Sequence, residues 1–213
     1  IANPLDTSWG QIIKYNNCGR HEFAQVRSIP SATSIELDCG LQFSYSSGGT
    51  NRAQVVRVPR WTTLTVNAGA SITSDDWNGT VGGIVAIETQ GNITLNGTID
   101  ATGRGFRGGA LLENVTAFGV DNMGSTDPTY GAEKGEGIAG YQADYDPLGG
   151  RYGRGAAANG GGGGCGHNGG GGGGANGGVT ANWRGMGIPD PNGAYTAAWN
   201  LDPHYGLNYL TTL

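Results

Sequence analysis

The chain has 213 residues, 43 of them glycine, and carries a formal net charge of −5 with an isoelectric point near 5.0. This acidic balance argues against nucleic-acid binding, which requires a basic surface, and no apolar run approaches the roughly 18 residues that a transmembrane helix needs. Charged residues make up only 14% of the chain, but five Trp and nine Tyr argue against a disordered polypeptide.

Residues 1–50 are predicted to form an N-terminal β region. Short apolar or alternating segments at 11–15, 34–37 and 41–45 are separated by Ser, Gly, Asn and Pro, which is typical of strands and turns. The region also contains Cys18 and Cys39. In an exported protein these cysteines are the natural disulfide pair, and the bond would stabilise the fold by about 3 kcal/mol.

Residues 51–110 carry the clearest repeat in the chain. The segment LTVNAGASIT at 64–73 is echoed by ITLNGTID at 93–100, and a further strand-like segment, GIVAIET, lies between them at 83–89. Short alternating strands that recur with the same turn predict a parallel β-helix or β-roll. An antiparallel β-sandwich would show similar alternation, but the shared polarity and turn of the two segments favour the stack.

Residues 111–213 are predicted to form a glycine-rich region, in which 149–178 contains 18 glycines. Ordered glycine runs can form polyglycine II, a helix with three residues per turn and a rise of about 3.1 Å per residue. In the interior of a bundle of such helices a Cβ would collide with a neighbour. The complete prediction is an all-β chain, with a short parallel β-helix or β-roll-like stack followed by a polyglycine II helix bundle. The glycines expected to be structural are Gly160, Gly161, Gly162, Gly163, Gly164, Gly169, Gly170, Gly171, Gly172, Gly173 and Gly174.

The stretch from Trp183 to Tyr209 is rich in aromatic side chains, including Tyr195 and Trp199. We expect most of them to cap the ends of the bundle and stack, and a binding surface formed by exposed rings is the alternative. A β-stack also exposes unpaired strand edges at its ends unless something covers them. The sequence therefore predicts association with itself or with other chains.

No catalytic signature is present in the sequence. The three histidines lie in unrelated contexts, and GxSxG, HExxH and P-loop motifs are missing, so we expect no enzymatic activity. Asp144 and Asp146 place two carboxylates on one side of an extended segment and are the candidate ligands for calcium. Solvated loop carboxylates are the alternative, and no other cofactor is predicted.

Five segments carry a resemblance to a known group of proteins. They are GRGFRGG at 103–109, KGEGIAG at 134–140 and RGAAANGGGGGCGHNGGGGGGANGG at 154–178, preceded by TVNAGASITSDDWNG and GNITLNGTIDATG. In this order they resemble glycine-rich exported cell-surface proteins of gliding and related Bacteroidota-type bacteria. A second resemblance, in architecture alone, is to phage tail-tip adhesins with stacked polyglycine helices.

The first resemblance implies an exported, extracellular protein of the bacterial cell surface. Its role would be structural or adhesive and non-catalytic, possible partners would be its own copies, other surface chains or surface glycans, and it could belong to a larger chain or filament. The alternatives are a phage tail-tip receptor-binding adhesin and a β-helix enzyme that acts on polysaccharides.

Overall fold

The computed structural model describes residues 9–10, 16–49, 51–112, 122–153, 155–163, 184–185 and 199–200. The chain divides into two compact units, the smaller being Tyr15–Val55 and the larger combining Ile1–Lys14 with Val56–Leu213. These units do not coincide with the three consecutive regions predicted from the sequence. The first boundary lies five residues later than expected, and the N-terminal segment belongs to the larger unit because Trp9 packs in its core.

The smaller unit consists of two short hairpins. Strands β1 (Val26–Ser31) and β2 (Ser34–Leu37) pair antiparallel, as do β3 (Ser47–Gly48) and β4 (Asn51–Arg52). The register of the first hairpin is irregular on both sides of Ser28, and Pro30 within β1 has no N–H to donate. None of the described residues in this unit is buried.

The larger unit begins with two stacked rungs of very short strands. The first rung (60–77) contains β5 (Arg60–Trp61), β6 (Leu64–Val66) and β7 (Ser71–Ile72), and the second rung (88–104) contains β8 (Glu88–Thr89), β9 (Ile93–Leu95) and β10 (Thr98–Ile99). β5 pairs with β8, β6 with β9 and β7 with β10, all in parallel. Each sheet is two-stranded, so the described residues contain the repeat but no extended β-helix.

The turns that join the strands explain the register of the rungs. Gly69 adopts a φ of +78°, and the amides of Asn96 and Gly97 both donate to the Val66 carbonyl, at 2.8 and 2.9 Å. A Cβ on Gly97 would lie 2.3 Å from the Ala70 oxygen and 2.4 Å from the Asn67 oxygen. The repeated Asn and Gly therefore allow the second turn to lie directly against the first.

After the rungs the chain forms a set of close-packed extended segments, here called the glycine-rich bundle (107–110, 122–125, 132–137, 150–153 with 155–157, and 160–163). Within it, three consecutive amides donate to three different segments. The amides of Lys134, Gly135 and Glu136 reach the carbonyls of Arg151, Gly161 and Arg107, each at 2.8 Å. A β-strand pairs on only two sides, so the 132–137 segment lies at the centre of this bundle.

Two 3-10 helices interrupt the bundle, at Pro128–Tyr130 and Gln142–Leu148. At the start of the second helix the Asp144 carboxylate accepts from the Tyr141 amide, and the helix ends at Gly149, which has a φ of 109°. Neither helix has the length or apolar run that would let it cross a bilayer, and no other described helix does. β11 (Arg184–Gly185) and β12 (Trp199–Asn200) form a further antiparallel pair.

The core lies inside the glycine-rich bundle rather than in the rungs. Trp9, Met123, Tyr145 and Ala157 form its buried apolar cluster. The Tyr145 hydroxyl donates to the Gly135 carbonyl at 2.8 Å, which ties the second helix to the central segment. Burial raises the pKa of the Tyr145 phenol well above its ordinary value of 10.0.

Candidate functional site

Lys134 is the most unusual residue in the described part of the chain, because its side chain is completely buried. Its ammonium donates to the carbonyls of Met123 and Gly153, both at 2.8 Å, and to that of Tyr152. The Nζ also lies 4.5 Å from the centre of the Trp9 ring. A buried ammonium is costly unless its donors are satisfied, and here three carbonyls and an aromatic face surround it.

The central segment also contributes Glu136 to a charged pair with Arg107. Arg107 forms a bidentate ion pair with Glu136, with Nε–Oε2 at 2.8 Å and Nη2–Oε1 at 3.0 Å, and its amide donates to the same carboxylate. The guanidinium also lies 4.2 Å from the centre of the Tyr141 ring. Glu136 is buried, whereas Arg107 reaches solvent.

The electrostatics of this pair follow from its hydrogen bonds. Burial disfavours the Glu136 carboxylate, but the hydrogen bonds from Arg107 outweigh it and hold the pKa of Glu136 below its ordinary value of 4.5. The same hydrogen bond raises the pKa of Arg107. Both groups are therefore charged at neutral pH, and the pair stays ionised.

Asp144 and Asp146 are both committed to structural contacts. The Asp144 carboxylate accepts from the Tyr141 amide at 3.1 Å at the start of the second 3-10 helix. Asp146 forms a bidentate pair with Arg151, at 2.6 and 3.2 Å. No group of three or more metal-binding side chains occurs among the described residues. The two carboxylates therefore have different partners in the structure, and the calcium site stays a prediction.

The structure also differs from the predicted disulfide, since Cys18 and Cys39 are both free thiols. The segments around them run antiparallel: the Asp38 amide donates to the Gln25 carbonyl at 3.0 Å, and Glu22 accepts from the Gln42 amide at 2.8 Å. Cys39 therefore directly follows the residue that pairs with Gln25. Burial raises the pKa of the Cys18 thiol above its ordinary value of 9.0.

Four of the eleven glycines singled out from the sequence, 160–163, lie among the described residues, while Gly164 and Gly169–Gly174 lie outside them. A Cβ on Gly163 would lie 1.8 Å from the Ala132 oxygen, and one on Gly160 would lie 2.8 Å from the Gly135 oxygen. These two glycines therefore occupy positions where the neighbouring main chain leaves no room for a side chain.

Sequence reasoning missed Lys134, Glu136 and Arg107 as important residues. The signal available was the motif KGEGIAG, in which two charges alternate with glycine. Alternating glycines let neighbouring segments approach closely, and close approach buries the charges between them. Together these side chains fix four segments of main chain, and the arrangement offers structural cohesion rather than an acid–base pair poised for chemistry.

Comparison with known proteins returned no matching family model, no matching curated protein and no matching solved structure. The functional conclusion therefore depends on the residues and contacts described above.

Proposed function

We propose that this chain is a non-catalytic structural module of an exported, extracellular cell-surface protein with an adhesive or scaffold role. The observation that carries the proposal is the environment of Lys134, whose ammonium is used entirely within the fold by three main-chain carbonyls and the Trp9 ring. Lys134 thereby links its own main-chain segment to the segments that contain Met123 and Gly153.

The other charged groups of the bundle support the same proposal. Arg107 pairs with Glu136, and Arg151 pairs with Asp146. An enzyme that cleaves polysaccharides needs carboxylates that are available to substrate or metal. The carboxylates of Glu136 and Asp146 instead pair with guanidinium groups, and that of Asp144 accepts from an amide at the start of a 3-10 helix. These contacts favour a mechanical role.

Polyglycine II geometry in the bundle is part of this proposal. A three-residue turn directs successive amides toward three neighbours, and the amides of residues 134–136 donate to three separate segments. A module of this kind would be stiff, since each glycine-lined contact leaves no space for movement of the main chain.

The test is an adhesion assay with the whole chain. Beads coated with the folded chain should be retained under flow on at least one of a set of glass, polymer and glycan-coated surfaces. Beads coated with the same chain after unfolding and alkylation are the matched control, because they have the same composition. The same folded protein should release no reducing ends from a panel of acidic polysaccharides.

Retention that is equal for folded and unfolded chain would contradict the proposal. So would polysaccharide turnover that is lost on Asp144→Asn or Asp146→Asn, which would revive the enzymatic alternative.

A further inference from the structure

Among the residues that the structure describes, no strand pairs with the outer edge of the second rung. The Leu64 amide donates to the Asn92 carbonyl at 3.2 Å, and the Asn96 amide donates to the Val66 carbonyl at 2.8 Å. Successive residues of a parallel strand bond to opposite sides, so Ile93 and Leu95 direct their main-chain groups away from the first rung. By the same alternation, Thr65 directs its main-chain groups to the outer edge of the first rung.

The apolar side chains of the two rungs are covered unequally. Leu64 pairs with Ile93 and Val66 pairs with Leu95. Val66 is only 4% exposed, whereas Ile93 and Leu95 are 48% and 52% exposed. Within the described part of the chain, the column of aliphatic side chains begins in the first rung and ends in the second, where another strand with the same pattern would cover it.

The charges on the rungs are complementary in the direction of stacking. Arg60 of the first rung pairs with Glu88 of the second at 2.9 Å, and Asp76 of the first rung pairs with Arg104 of the second. Each pair joins positions 28 residues apart. Along the chain, the second rung has an acidic residue, Glu88, before a basic one, Arg104. The first rung has the opposite order, with the basic Arg60 before the acidic Asp76.

We propose that copies of this chain associate head to tail, with the first rung of one copy pairing in parallel with the second rung of the next. This inference rests on the structural role proposed above, and it names the partner as a second copy. The register is the one found within a copy, so that Leu64 lies beside Ile93 of the neighbour and Arg60 approaches the Glu88 carboxylate of the neighbour.

This contact is heterologous and leaves one free rung at each end. A heterologous contact that does not close produces an open assembly. The expected product is therefore a filament that grows with concentration, rather than a dimer of fixed size.

The experiment uses the full chain and two proline variants in sedimentation velocity and electron microscopy. Ile93→Pro removes an outward amide from the second rung, and Thr65→Pro removes one from the first, so neither removes a bond between the two rungs of a copy. Each variant alone should remain monomeric, and an equimolar mixture should form dimers and nothing larger. Val55→Ser, which alters a residue 82% exposed in the smaller unit, should assemble like the original chain.

Circular dichroism establishes that each variant is folded, and Leu95→Lys replaces Ile93→Pro if the proline variant does not fold. A wild-type chain that is monomeric at every concentration would overturn the inference. So would a dimer of limited size, or variants that all assemble like the wild type. If the monomeric chain still retains beads on a surface, the proposed function stands while this inference fails.

Discussion

Lys134 is the residue on which the glycine-rich bundle depends most. Its ammonium joins the segment around Met123 to the segment around Tyr152 and Gly153 from a fully buried position. Removing it leaves buried carbonyls without a donor, and an unsatisfied buried polar group costs more than the hydrogen bond itself contributes.

We expect Lys134→Met to lower the free energy of unfolding by about 3–5 kcal/mol, the range for breaking a buried charged contact. Methionine keeps most of the volume, so the loss reports mainly the hydrogen bonds. Urea denaturation followed by tryptophan fluorescence measures it. Arg27→Met is the control, because the exposed Arg27–Asp38 pair should contribute less than about 1 kcal/mol. Equal stability of the two variants would show that the buried contacts are unimportant.

Glu136 gives the fold a dependence on pH. Its pKa is lower in the folded protein than its ordinary value of 4.5, so the unfolded chain takes up protons first as the pH falls. The stabilisation from Glu136 is therefore fully present above pH 4.5 and is lost as the pH falls through the folded pKa.

We expect Glu136→Gln to destabilise the protein at pH 7 by roughly 1–2 kcal/mol, a modest amount because solvent reaches Arg107 and screens the pair. The difference from the wild type should shrink below pH 4.5, and urea midpoints measured from pH 7 to pH 3 follow it. A difference that stays constant across this range would mean that the ionised pair is not the source of the stability.

At the scale of elements, the glycines allow neighbouring segments to approach until main chain meets main chain. Gly163 and Ala132 make one such close contact, because a Cβ on Gly163 would lie 1.8 Å from the Ala132 oxygen. By contrast, a Cβ on Gly105 would meet no atom within 4 Å.

We expect Gly163→Ala to destabilise the chain by about 1–3 kcal/mol, since the segments must separate to admit the methyl group. Gly105→Ala is the matched control and should be neutral or slightly stabilising, because alanine restricts the unfolded chain. Thermal unfolding of the two variants makes the comparison. If both behave alike, the approach of residue 163 to the 132–137 segment is not a determinant of stability.

At the scale of the whole molecule, the two compact units differ in how much they bury. The described residues of Tyr15–Val55 include none that is buried, and Phe23 and Ile29 are 73% and 70% exposed. The larger unit holds the buried cluster of Trp9, Met123, Tyr145 and Ala157. Regions with few buried contacts open at a lower free energy than the core.

We therefore expect amides in Val26–Leu37 to exchange with solvent much faster than those in 132–137. Hydrogen exchange followed by mass spectrometry resolves both segments in one experiment on the intact chain. Comparable protection of the hairpin would indicate that its apolar side chains are covered in solution, for example by a second copy.

The sequence by itself determined the pairing of the rungs. The segments at 64–73 and 93–100 repeat both their alternation and their Asn-Gly or Asn-Ala-Gly turn, and Leu64 does pair with Ile93 in parallel. Such a repeat is local: the turn residues set the corner, and identical side-chain patterns stack in one register. The sequence alone also gives the acidic composition, and it predicts that neighbouring main chain leaves little room for a Cβ at the glycines.

Only the tertiary structure decided which charged residues are buried and which partners they contact. Lys134 and Glu136 have no apolar neighbours in sequence, and their burial arises because segments far apart in the chain close around them. Asp144 and Asp146 lie in a 3-10 helix that no periodic pattern predicts, and they contact different partners. Cys18 and Cys39 are both free thiols in the structure. The burial of Lys134 and Glu136 depends on contacts between residues far apart in the chain, and residue order alone does not specify which distant carbonyl or guanidinium a side chain will meet.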